Sequence, residues 1–286
     1  MPRPRALAVL SLSILFVLEA SRSLAAATNP PAPAQSSPTA SQDDDDATLQ
    51  LAEPDYRLIN LPTTLRLPLF KSNFDLTHRF NGNLRRGTFA NQASSFFGID
   101  EGAVVGFEYR IAVLRHLQAI AYRSVSQRTV QFYGKYDALH QRGATPLSIS
   151  ALVSVEGIDN FHKNYSPAFG VVISRTISDV AAVYAVPTWV HNTAATLGED
   201  RDTSYFGVGG RLRVRPTVYL AAEVSPRLSG YAPGTSQFGF AIEKRAGGHM
   251  FQLNFTNGSA TTFGQIARGG SPQSLSMGFN LSRKFF

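Results

Sequence analysis

The 286-residue chain contains no cysteine. That excludes a disulfide framework, a thiolate zinc site, a C-x-x-C-H haem attachment and a lipidated N-terminal cysteine. Charge is also scarce: Asp, Glu, Lys and Arg make up 16% of the residues, against about 25% in a typical soluble domain. Long hydrophobic runs are missing too, and nothing reaches the roughly 20 apolar residues a membrane helix requires. A mean hydropathy of −0.08 would on its own describe an ordinary soluble protein. Low charge without a membrane helix calls for another explanation, and the residues that are present supply one.

The first residues carry Arg3 and Arg5, then an apolar stretch over 6–18, then the small-residue run Ala25-Ala26-Ala27. A basic start, a short apolar core and an A-x-A-like end predict a Sec-type signal peptide over residues 1–27. Residues 28–55 are rich in Pro, Ala and Ser and include Asp43-Asp44-Asp45-Asp46. Too little of this stretch is apolar to build a core, so it is expected to be a disordered acidic linker, with a periplasmic partner of the tether possible. From Tyr56 onward there are 24 Lys and Arg against 13 Asp and Glu. The overall +7 therefore conceals an acidic segment in front of a basic domain.

From Phe74 the dominant period is two. Leu275, Met277, Phe279, Leu281 and Phe285 alternate with Ser274, Ser276, Gly278, Asn280, Ser282 and Lys284, and Phe251, Leu253 and Phe255 alternate with Gln252, Asn254 and Thr256. This is the strand signal. It predicts twelve strands, near residues 72–81, 102–111, 117–126, 129–138, 147–156, 167–176, 180–191, 203–214, 217–226, 237–245, 249–257 and 274–285. Helical spacing is confined to a brief stretch near 89–97. Each strand is about ten residues, the length that crosses a bilayer when tilted. Most connections alternate between tight turns and long loops, as in an outer-membrane barrel with its turns in the periplasm. The fold class expected is all-β, a single antiparallel up-and-down transmembrane barrel over residues 56–286. A periplasmic β-sandwich or a lipocalin-like barrel would share the period but not the strand lengths. Phe279, Leu281, Phe285 and the terminal Phe286 form an expected assembly signal for the barrel assembly machinery.

Certain segments carry a more specific likeness: residues 74–80 (F-D-L-T-H-R-F), 247–257 (G-G-H-M-F-Q-L-N-F-T-N) and 278–283 (G-F-N-L-S-R), with 56–63 (Y-R-L-I-N-L-P-T) and 96–100 (F-F-G-I-D). Together they resemble a family of bacterial β-barrel proteins known only as a domain of unknown function. The resemblance covers residues 56–286 and implies a barrel and an outer-membrane address. It implies no reaction and no ligand.

Apolar faces turned to lipid leave the other faces for the lumen. Those faces carry Asp75, Arg79, Glu108, Arg110, Lys135, Asp137, Glu156, Arg211, Arg213, Glu223 and Glu243. Mixed signs suggest either a ladder of neutralised charges filling the barrel or a narrow polar conduit, and twelve strands do not decide between them. Arg123 and Arg175 fall on the apolar parity and are expected near strand ends, where long side chains reach water. Gly207, Gly209 and Gly210 read as strand glycines easing curvature. A rim-active lipid enzyme would require a local triad, and only His78 with Ser94 or Ser95, or His191 with Asp200 or Asp202, could be paired. No catalytic motif, cofactor, metal site or nucleic-acid partner is expected. Arg85, Arg86, Lys163 and Arg268 are expected to face outer-membrane lipids or lipopolysaccharide. The functional expectation is a narrow channel or small-solute-binding barrel, with a plugged structural or interaction barrel as the alternative.

Overall fold

The computed structural model describes residues 50–193, 202–230 and 235–285. The expected signal peptide, most of the expected linker, Asp200 and Phe286 lie outside these residues. Thirteen strands form one antiparallel sheet: β1 (Ser72–Phe80), β2 (Ala103–Leu114), β3 (Leu117–Ser124), β4 (Val130–Leu139), β5 (Ser148–Ile158), β6 (Lys163–Ile177), β7 (Ala181–Val190), β8 (Thr203–Arg215), β9 (Val218–Ser225), β10 (Arg227–Ser229), β11 (Gln237–Ala246), β12 (His249–Thr256) and β13 (Ser276–Phe285). Neighbours in sequence pair with each other, and β1 pairs with β13 from Ser72↔Phe285 to Arg79↔Gly278, which closes a twelve-strand barrel. The thirteenth element, β10, is a three-residue continuation beyond Pro226 that pairs with the start of β8. The twelve expected strands are all present.

The alternation read from the sequence decides which way each side chain points. Phe107, Tyr109, Phe132, Val153, Phe169, Leu220, Ile242, Phe251 and Leu253 stand on the outer surface, and Asp75, Arg79, Glu108, Arg110, Lys135 and Glu243 point inward. A soluble protein buries its apolar side chains and exposes its charges. Here the order is inverted, which is the arrangement a bilayer imposes. Tyr165 and Trp189 ring one end, and Tyr136 and Phe285 ring the other, where amphipathic rings sit at the membrane–water boundary. Arg123 and Arg175 lie near strand ends, and Arg123 reaches Asn160 Oδ1 at 2.9 Å.

Turns of two or three residues join β2 to β3, β6 to β7, β8 to β9 and β11 to β12, all at one end. The opposite end carries the loops 81–102 and 257–275. The expected long loop after β5 shrinks to residues 159–162, because β6 begins at Lys163 and extends the hairpin. Loop 81–102 holds α1 (Phe89–Ser94), capped by the Thr88 side chain. Loop 257–275 holds α2 (Phe263–Arg268), capped by Thr262, a helix too short to register as a period in sequence.

Candidate functional site

The lumen is filled from both ends. Residues 50–67 enter from the short-turn end and rise inside the barrel as a hairpin. Arg57 bridges Pro62, and Leu58 N donates to Leu61 O at 2.8 Å. This corrects the expected linker boundary. Ala52, Glu53 and Asp55 are buried, Ser282 Oγ donates to Asp55 Oδ1 at 3.0 Å, and Lys284 Nζ donates to Pro54 O at 2.6 Å. From the other end α2 folds inward, with Phe263, Ile266 and Ala267 buried against the same apolar cluster as Leu58, Ile59 and Leu61.

The wall holds the hairpin mainly through its backbone. At the tip, the Glu223 carboxylate accepts the N–H groups of Ile59 (3.0 Å), Asn60 (2.9 Å) and Leu61 (3.1 Å), and also Asn60 Nδ2 (2.9 Å). Three successive N–H groups converging on one anion make a nest, here closed by the protein's own carboxylate. Asn280 Nδ2 donates to Ile59 O at 3.0 Å and Gln252 Nε2 to Leu58 O at 2.5 Å. Lower down, Lys135 Nζ donates to Thr63 O at 3.0 Å and Leu65 O at 2.7 Å. Each contact satisfies a backbone group that burial would otherwise leave unpaired.

Ten of the eleven expected lumen charges point into the filled lumen and are buried there. Arg211 makes a bidentate pair with Glu243, through Nε at 2.6 Å and Nη2 at 2.9 Å, and also donates to Arg57 O at 2.8 Å. Arg110 holds Glu108 at 2.8 Å and the Tyr133 hydroxyl at 2.7 Å. Lys135 pairs with Asp137 at 3.2 Å. Arg79 donates to Asn280 Oδ1 at 2.7 Å and Asn60 Oδ1 at 3.0 Å. Arg57, from the hairpin, pairs with Asp75 at 3.0 Å, contacts Glu108 and donates to Thr261 O of the inward loop. Glu156 accepts Gly264 N of α2 at 3.0 Å. The eleventh, Arg213, departs from expectation. It sits at the short-turn rim, where its Nε donates to Pro216 O, because the strand ends there and its side chain meets the turn. Arg268, expected at the lipid surface, instead lies 3.8 Å from Glu156, since α2 turns into the mouth.

The strand glycines have a different role from the one expected. A Cβ at Gly209 would lie 2.3 Å from Leu58 Cδ2, and one at Gly207 2.7 Å from Leu61 Cδ2. These glycines are the floor on which the hairpin's leucines rest, whereas at Gly210 the nearest atom is 3.4 Å away. Gly209→Ala is therefore expected to lower stability by about 1–3 kcal/mol, and Gly210→Ala to stay within about 0.5 kcal/mol. Unfolding of the heat-modifiable barrel band measures both.

The hypothetical catalytic pairings fare unevenly. His78 stacks on Phe279 (centroids 4.7 Å apart), while Ser94 and Ser95 donate to their own loop's carbonyls. His191 Nδ1 does meet Asp202 Oδ1 at 2.6 Å on the exposed rim. Among the described residues no hydroxyl bonds its ring. Sequence reasoning missed the hairpin and α2 as lumen elements. The signal that could have found them is the set of glycines on the inward parity of β8.

The model of a membrane bound β-barrel domain family, DUF5777, matches residues 55–285. No curated protein matches the chain. Among solved structures, the NanC porin is similar with a TM-score of 0.51 at 6% identity, covering 76% of this chain and 100% of that one. An outer membrane channel from Pseudomonas putida F1 gives a TM-score of 0.48 at 12% identity, covering 77% of this chain and 97% of that one. At 6% identity the likeness to the NanC porin is one of fold. The inverted exterior, the even closed meander and the family match agree on an outer-membrane address, which makes the short-turn end periplasmic and the long-loop end extracellular. The chain belongs to the membrane bound β-barrel domain family DUF5777.

Proposed function

We propose that this protein is an outer-membrane channel closed by its own N-terminal hairpin, with α2 as a second closure at the extracellular mouth. One observation carries the closed state. Asp75, Arg79, Glu108, Arg110, Lys135, Asp137, Glu156, Arg211, Glu223 and Glu243 all face the lumen, and each is 5% exposed or less. Side chains lining a water-filled pore would be wet. The void left beside Arg57, Arg110, Gln131 and Thr261 is about 10 Å³, room for a single water. The likeness to a porin fold supports the channel part of the reading, which involves no catalytic step. No disulfide fixes the hairpin in place, and its wall contacts are hydrogen bonds, ion pairs and apolar packing.

Planar-bilayer conductance tests the reading. The full chain is expected to be silent. Leu58→Asp with Leu61→Asp puts two carboxylates against an apolar floor, a burial costing several kcal/mol. That variant should conduct while remaining heat-modifiable. Because the chain lacks cysteine, Thr64→Cys with Ser174→Cys adds one clean cross-link between the hairpin and β6, whose hydroxyls touch in the native chain. Oxidising that pair in the conducting variant should restore silence. A folded Leu58→Asp, Leu61→Asp barrel that carries no current would favour the permanently plugged structural barrel instead.

A further inference from the structure

The lumen wall is two-faced, and this has a consequence for what an open barrel would admit. β6 and β7 send no charged side chain inward. Their lumen faces present Ala168, Val172, Ala182, Val186 and Val190, all buried, with the uncharged Ser166, Ser174, Tyr184 and Thr188 between them, and β8 continues the surface with Gly207 and Gly209. The hairpin's leucines and α2 cover this apolar face in the closed state. The rest of the wall, from Arg211 of β8 through β9 and β13 to β5, carries the charges.

Those charges are not released equally when the fillers leave. Arg110, Lys135 and Arg211 keep wall partners in Glu108, Asp137 and Glu243. Three wall carboxylates depend on the fillers. Glu223 is held by the hairpin tip alone, Asp75 pairs with Arg57, and Glu156 is capped by Gly264 N and approached by Arg268. Asp75 Oδ1 has no hydrogen-bond partner even in the closed state, although the residue is buried. Arg79 and Lys284 also lose hairpin acceptors, at Asn60 Oδ1 and Pro54 O. Withdrawal of hairpin and helix therefore uncovers three wall carboxylates against two cations, and Glu223 among them sits beside the Gly207–Gly209 floor.

Resting on the gated-channel reading, we propose that the open lumen selects cations with an apolar body, an alkylammonium class of solute. The cationic head takes the place of the hairpin's N–H donors at Glu223, and the apolar body takes the place of Leu58 and Leu61 on the Gly207–Gly209 floor. The closed state thus contains an internal stand-in for the solute.

The test uses the full chain opened from the hairpin side, by Leu58→Asp with Leu61→Asp and, separately, by Asn60→Pro, so that the wall stays native. Reversal potentials in a KCl gradient should have the sign of cation preference, and adding Glu223→Gln should reduce that preference. Block of the potassium current by methyl-, butyl- and hexylammonium should strengthen by about threefold per added methylene, whereas hexanoate should block weakly at every concentration. A conducting barrel with anion preference, or with block independent of chain length, would overturn this assignment and leave the gate intact. Silence of both folded variants would overturn the gate, and this proposal with it.

Discussion

Glu223→Ala is expected to release residues 50–67 from the lumen. The carboxylate is the acceptor for three backbone N–H groups and one side-chain amide. Leaving a buried donor unsatisfied costs about 1–3 kcal/mol each. Water entering the vacated space offsets part of this, so the net loss of docking is on the order of 4 kcal/mol, roughly a thousandfold shift towards the undocked hairpin. Limited proteolysis within residues 50–67 of reconstituted protein should become fast, and conductance should appear. Glu223→Gln keeps one acceptor oxygen and should fall between alanine and the native chain. A hairpin that stays protease-resistant in the alanine variant would mean that apolar packing alone seats the tip.

The second large effect belongs to Arg57. Its guanidinium pairs with Asp75 and Glu108 and donates to Thr261 O, so it joins the hairpin, two wall strands and the inward loop. Arg57→Ala leaves Asp75 buried without a cation, while Glu108 retains Arg110. Removing one member of a buried pair typically costs about 3–5 kcal/mol. Asp75→Asn in the same chain should recover part of that loss, because the unpaired charge is then gone. The two single changes should accordingly be non-additive by about 1–3 kcal/mol in a double-mutant cycle read from the unfolding of the heat-modifiable form. Strict additivity would show that Arg57 acts through Glu108 and Thr261 rather than through Asp75.

The barrel was legible because lipid on one side and polar contents on the other force a strict period of two. Leu275 to Phe285 display that period without help from any distant residue. The lumen fillers were not legible, for a physical reason. Leu58, Ile59 and Leu61 form a short apolar run with no period, and the groups that hold them, Glu223, Gln252 and Asn280, lie between 162 and 221 residues away in sequence. α2 spans six residues, under two turns, so Phe263 and Ile266 cannot display a helical repeat. The inward charges were visible as a set, but their pairing was not. Which acid meets which base depends on strand register: Asp75 sits opposite Glu108, a like-charge pair made tolerable by Arg57 of the hairpin together with Arg110.

The closing seam has a consequence for how the barrel forms. β13 supplies the partner for β1, and the same strand supplies Asn280, Ser282 and Lys284, which grip Ile59, Asp55 and Pro54. The first-made segment of the hairpin therefore waits for the last-made strand across separations of up to 230 residues. Contacts that distant are formed late and slowly in a folding chain. When β13 arrives it completes the ring and fixes the base of the stopper together, so circularisation of the sheet and sealing of its interior are one kinetic event.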